Sequence, residues 1–205
     1  MMTVDQFEQL LSLGREQFAV EFKSPGKRTE KRLLAQVIRA CIGMSNIRDG
    51  GQVIIGVIEE GEKLIPRGLN YDELSTWKFS DVADSIHPYV DPGIVFDLDV
   101  FTYKEKQFIE ILVHEFVDTP IICIRPFQDV LINGQCYVRT RRKPETIPPP
   151  SHAEMRDLLE LASDKEVKKY LMRMDRIGFA TKFIGAEDKP EDGRTNPYDN
   201  ELEQL

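Results

Sequence analysis

Residues 52–58, Gln-Val-Ile-Ile-Gly-Val-Ile, are apolar at almost every position. Successive side chains of a strand point to opposite faces, so a strand with no polar alternation needs cover on both sides. This run therefore reads as a central strand, which excludes a sheet with one wet face. A partner layer lies immediately upstream. From Glu30 to Asn46, apolar residues fall at 33, 34, 37, 38, 41, 42 and 44, the spacing of a helix with one buried face. The "RDGG" stretch at 48–51 ends that helix.

The rest of the chain adds elements around this pair. Thr3 and Gln6 form a capping box ahead of Phe7, Leu10 and Leu11, and Gly14 is a stop signal. Residues 18–23 read as a strand, with Val20 and Phe22 on one face and Glu21 and Lys23 on the other. Residues 72–86 have a helical pattern. "IVFDLDVFTY" and "KQFIEILV" flank Lys104 and Glu105 as an antiparallel hairpin. "IICI" and "CYVRT" are short strands, with a turn at Asn133-Gly134. "PETIPPP" reads as an extended connector. Ser151 and Glu154 start a helix toward Ile177, with a break expected near Ser163-Asp164. The order predicts an α+β domain with a mixed, mostly antiparallel β-sheet flanked by helices. The expected divisions are a domain over 1–162, a helical extension over 163–180 and an acidic flexible tail over 181–205.

Of 205 residues, 41% are apolar and 30% charged, enough for a sizeable core. Cys41, Cys123 and Cys136 sit in apolar runs without metal or redox spacing and read as reduced core thiols. His87, His114 and His152 show no ligand spacing, and Trp77 reads as core. No apolar run reaches the length of a membrane span, and no basic-then-apolar leader opens the sequence, so a cytoplasmic protein off the membrane is expected. The net charge is −8, of which residues 181–205 carry −4. That balance disfavours non-specific nucleic-acid binding, but "KSPGKRTEKR" (23–32) and "RTRRK" (139–143) are local basic clusters.

Four segments in order carry a family likeness: "EQFAVEFK", "NIRDGGQVIIGVIEE", "SIHPYV" and "CYVRTRRKPETIPPPSHAEMRDLL". Over residues 14–162 the sequence resembles the Schlafen-type AlbA-like domain. The turn between Asn46 and Gly50 is one residue longer than the usual family pattern, and Glu59 stands where Asp is common. In vertebrate members of that family, two lobes form a clamp that cuts tRNA and ribosomal RNA with three carboxylates. The resemblance implies Glu16, Glu21 and Glu59 as the corresponding catalytic and metal-binding set, with Lys23 beside them and Mg²⁺ or Mn²⁺ as the ion. It also implies a homodimer, because one lobe makes half a clamp, and RNA rather than DNA as the partner.

Converging carboxylates suit a hard divalent ion that activates water and stabilises phosphate charge, and an ammonium suits a phosphate oxygen. If the strands of Glu21 and Glu59 are neighbours, their Cα atoms approach to ~5 Å. The alternative is a solvated strand face with a cross-strand ion pair, and Glu60 competes for the place of Glu59. Lys27, Arg28, Arg139, Arg141, Arg142 and Lys143 are the candidate phosphate contacts, with Tyr137 as a stacking surface. The same charges on an edge strand would also block unwanted pairing. Gly50 and Gly51 offer either a positive-φ turn or a close phosphate approach. No Gly-x-x-x-x-Gly-Lys-Ser/Thr motif is present, so a P-loop has no support. The function expected is nucleic-acid binding, with metal-dependent endoribonuclease activity on structured RNA as its leading form. The alternatives are a non-catalytic DNA- or RNA-binding or regulatory module, and a protein-interaction subunit that docks through its acidic tail.

Overall fold

A computed structural model of the chain describes residues 2–61 and 63–177. The tail expected over 181–205 and the end of the helical extension lie outside the described residues. The chain divides into two compact units, Met1–Lys165 and Glu166–Leu205. The elements are α1 (Val4–Ser12), β1 (Val20–Lys23), α2 (Lys31–Ser45), β2 (Gly51–Ile55), β3 (Val57–Glu60), β4 (Lys63–Pro66), α3 (Tyr71–Leu74), α4 (Phe79–Ile86), β5 (Val90–Asp91), β6 (Phe96–Tyr103), β7 (Lys106–Val113), β8 (Ile122–Cys123), β9 (Val138–Arg139), β10 (Thr146–Ile147) and α5 (His152–Arg176).

The main sheet has the order β1-β2-β7-β6. Its β1–β2 pair is parallel and joined through α2, while β2–β7 and β7–β6 are antiparallel. The architecture is thus α+β, mixed and mostly antiparallel, as the pattern predicts. β2 is central and covered on both faces. Val53 and Ile55 join the larger core with α2, whereas Ile54 joins a second core with Phe7, Val20, Phe22, Phe101 and Phe108. Phe7 anchors that second core through edge contacts with Phe101 and Tyr103.

Local signals place most ends. The Thr3–Gln6 box caps α1 with both reciprocal hydrogen bonds, and Lys104 and Glu105 adopt the positive φ of a tight β6–β7 turn. Three expectations are corrected. The apolar run 52–58 is not one strand. Gly56, at φ +117°, turns the chain out of the main sheet, donates to the Lys23 carbonyl and accepts from Arg67 and Gly68. The helix expected over 72–86 is interrupted between Leu74 and Phe79, where Trp77 drops into the core and its indole donates to the Gly26 carbonyl. No break occurs at Ser163-Asp164 either; α5 runs through both, and the Ser163 hydroxyl donates back to the Leu159 carbonyl. Among the described residues no helix is long and apolar enough to cross a membrane.

Candidate functional site

The alternation of β1 gives Glu21 and Lys23 the sheet face that α2, β9 and β10 cover. Glu21 is therefore buried, 3% exposed, rather than solvated. A buried carboxylate needs partners. Arg139, 2% exposed on β9, supplies them. Its Nη1 donates to Glu21 Oε2 at 3.0 Å and its Nη2 to Glu16 Oε2 at 2.8 Å. The remaining donors go to the carbonyls of Phe18, Gln17 and Val20. Thr146 Oγ1 on β10 donates to Glu21 Oε2 at 2.5 Å, Lys23 Nζ donates to Glu21 Oε1, and the Phe22 amide donates to Glu16 Oε1 at 2.8 Å. All four carboxylate oxygens are thus engaged.

The two acids respond differently. Burial is the largest influence on both. At Glu21, burial is outweighed by Lys23 and Arg139, with Lys23 and Thr146 donating, and the carboxyl is held below its ordinary range. Glu16 shares only Arg139, carries the repulsion of Glu21, and its carboxyl is pushed up by burial.

Glu59 does not join them. It lies exposed on β3 opposite Leu64, while the register partner of Glu21 is Val53. Its charge is felt instead at Lys143, whose ammonium is held above its ordinary range, chiefly by Glu145. Among the described residues no group of three His, Cys, Asp or Glu side chains could hold a metal ion. The donor set does not fit Mg²⁺ or Mn²⁺, because a guanidinium and an ammonium already neutralise Glu16 and Glu21 and the third acid lies elsewhere.

Of the basic residues, Arg139 is a correction: its guanidinium binds carboxylates and carbonyls inside the fold and cannot meet a phosphate. Arg28 is committed too, donating to the Thr76 carbonyl and the Ser85 hydroxyl and so tying its loop to α4. Lys27, Arg141, Arg142 and Lys143 are exposed. The last three occupy the tip of the β9–β10 hairpin, which the Thr140 amide closes onto the Glu145 carbonyl. Arg141 lies over the Phe18 ring at 5.3 Å and 3.7 Å from Asp157, and Lys143 pairs with Glu145. Arg142 has no acidic partner among the described residues.

Tyr137 is also corrected. It is 2% exposed, and its hydroxyl accepts from the Ile132 amide and donates to the Val130 carbonyl, so it cannot stack on a base. The paired glycines are packing sites: a Cβ at Gly50 would strike the Val113 carbonyl, and one at Gly51 the Met44 thioether. Asn46, whose role spacing alone did not reveal, is a buried hub. Its amide donates to the carbonyls of Ile121 and Tyr137 and accepts from the Ile121 amide. Beside it a cleft of about 240 Å³ opens, with Phe18, Arg48, Arg141 and acids of α5 in its walls. Neither Phe18 nor Arg48 carries a spacing that marks it as functional.

The profile of the family described as "Schlafen, AlbA_2" matches residues 16–148, a span running from Glu16 past Arg139 and Thr146. The chain belongs to this family. An uncharacterized ATP-binding protein of Ureaplasma parvum serovar 3 is 26% identical over 167 residues, covering 75% of this chain and 44% of the relative. This Schlafen AlbA_2 chain therefore spans less than half of that relative. The crystal structure of the DIP2311 protein from Corynebacterium diphtheriae matches at a TM-score of 0.50 and 17% identity, over 75% of this chain and 27% of that one. The N-terminal domain of a RecG-related protein from Nitrosomonas europaea gives a TM-score of 0.47 and 17% identity, covering 74% and 99%. The DIP2311 likeness is one of fold.

Proposed function

We propose that this Schlafen AlbA_2 chain is a nucleic-acid-binding module, with RNA favoured over DNA, in which the buried carboxylates are structural. One observation carries the reading: Arg139 is committed to fixing β9 to β1, and the hairpin so anchored presents Arg141, Arg142 and Lys143 together at the surface. Flexible surface cations lose entropy on docking, and a braced turn lowers that cost. Family membership supports a nucleic-acid-related role. A homodimer belongs to the same proposal, since a single lobe offers one such surface.

The test is binding of labelled single-stranded RNA and DNA across a salt series. Replacing Arg141, Arg142 and Lys143 together by Ala should shrink the log–log salt slope by up to about 2, at roughly 0.7 per single-strand phosphate contact. An unchanged slope would remove the hairpin from the interface.

A second reading, metal-dependent endoribonuclease action on structured RNA such as tRNA, draws on the convergence of Glu16 and Glu21 on one cationic group. It requires Arg139 to leave that position and Glu59 to move in from β3. Cutting of tRNA in Mn²⁺ or Mg²⁺, abolished by EDTA and by both Glu21→Gln and Glu59→Gln, would establish it. Binding without cutting would leave the first reading standing.

A further inference from the structure

The hairpin cations stand beside a cleft that the phosphate-binding reading leaves unused. One wall is the half-buried ring of Phe18, just ahead of β1. The ring packs against the larger core, and the Arg141 guanidinium, whose side chain is 76% exposed, lies over it at 5.3 Å. Arg48, 62% exposed, is the second cation, paired with Asp164 at 2.7 Å. The opposite wall is α5, with Glu154, Asp157 and Glu160.

We propose that this cleft binds one unpaired nucleotide of a nucleic-acid strand, its base stacked on Phe18 and its phosphate met by Arg141 and Arg48. The inference rests on the nucleic-acid-binding reading and adds the base to it.

Four features argue for this occupant. The cleft volume of about 240 Å³ is smaller than a drug-sized pocket and suits a single base. Base-on-aromatic stacking is stronger than one exposed cation–π contact, so a base displaces Arg141 favourably. The displaced guanidinium gives up only a 3.7 Å exposed pair with Asp157, which is worth little, and becomes available to the phosphate next to that base. The acidic wall repels phosphate but accepts hydrogen bonds, since ionised carboxylates are acceptors only. It therefore favours bases with a donor edge, guanine first, because guanine carries an N–H and an exocyclic amine side by side. A uracil, with a single ring donor, fits that wall less well.

A short oligouridine carrying one central 2-aminopurine tests the proposal, because that base bears an amine and its fluorescence changes on stacking. Binding to the full chain should change its fluorescence. Phe18→Leu, which keeps apolar volume but removes the ring, should abolish the change and weaken binding about tenfold. Phe18→Ala should do the same, with circular dichroism verifying the fold of both variants. Competition by GMP distinguishes the sources: displacement by GMP alone at micromolar levels would assign the cleft to a free mononucleotide of the same chemistry. Salt-dependent binding with silent fluorescence, and Phe18→Leu equal to wild type, would overturn the base site and leave the hairpin reading intact. Failure of the wild-type chain to bind either the oligonucleotide or GMP would overturn both.

Discussion

Arg139 holds more of the site together than any other side chain, and its loss is the sharpest test at the scale of single residues. Arg139→Ala leaves the buried Glu21 and the half-buried Glu16 without their shared cation, and removing one member of a buried ion pair costs about 3–5 kcal/mol. Arg139→Lys rescues little, since an ammonium cannot reach two carboxylates and three carbonyls at once. Urea unfolding should show both as large falls in midpoint, while Arg142→Ala leaves stability within about 0.5 kcal/mol of wild type.

The paired acids also predict a pH dependence. Glu21 titrates below its ordinary value of 4.5 in the folded chain, so its contribution is full above 4.5 and is lost as pH falls through the folded value. Glu16 titrates above 4.5, so it costs stability at neutral pH, and that cost is relieved as acid is added. Glu21→Gln should therefore be less stable near neutrality and show a flatter decline below pH 4.5 in a thermal-midpoint series. Glu16→Gln should not flatten that decline. The thiol of Cys41, pushed up to about 12 by burial, should stay unreactive to thiol reagents in the folded chain.

Among the elements, α2 approaches β10 too closely to admit a side chain at the contact. A Cβ at Gly43 would overlap the Thr146 side chain, which also donates to Glu21. Gly43→Ala should thus cost about 1–3 kcal/mol by forcing the hairpin away, against the gain Ala normally brings inside a helix. A urea midpoint that falls with an unchanged slope would verify this. Helix α5 offers a contrasting prediction. Asp157 and Asp164 pair with Arg141 and Arg48, so they compete with phosphate for both cations. Asp157→Asn with Asp164→Asn should tighten RNA binding a few-fold at low salt and change stability little, because exposed pairs contribute at most about 1 kcal/mol each.

Elements with local signals were legible in the sequence: the capping box of α1, the periodicity of α2, the Lys104-Glu105 turn and the covered strand β2. What escaped depended on partners far along the chain. Nothing in "CYVRT" distinguishes a surface arginine from a buried one, because Glu16 and Glu21 lie more than a hundred residues away. The break at Gly56 was hidden by apolar residues on both sides, which fit one long strand as well as two short ones. Asn46 and Tyr137 were visible as polar types in the right segments, but their hydrogen-bond partners belong to the 121–137 region and set burial that spacing does not encode.

At the scale of the whole molecule, a chain of net charge −8 can bind an anion only through a confined positive surface. The hairpin tip is such a surface, and it is braced from within by a residue of the same sign. Affinity should accordingly fall steeply with salt even though total charge is unfavourable, and a neutral crowding agent should leave it nearly unchanged. The same internal brace links the first strand of the sheet to residues 139 and 146. A ribosome delivers those two residues only after every strand of the main sheet has been made. Until they emerge, Glu16 and Glu21 have no guanidinium to receive them, and β1 has no reason to bury its charged face. Vectorial synthesis therefore cannot complete this sheet from its leading edge. A nascent chain stalled before residue 139 should remain protease-sensitive throughout β1, and release of a few dozen further residues should protect it in a single step.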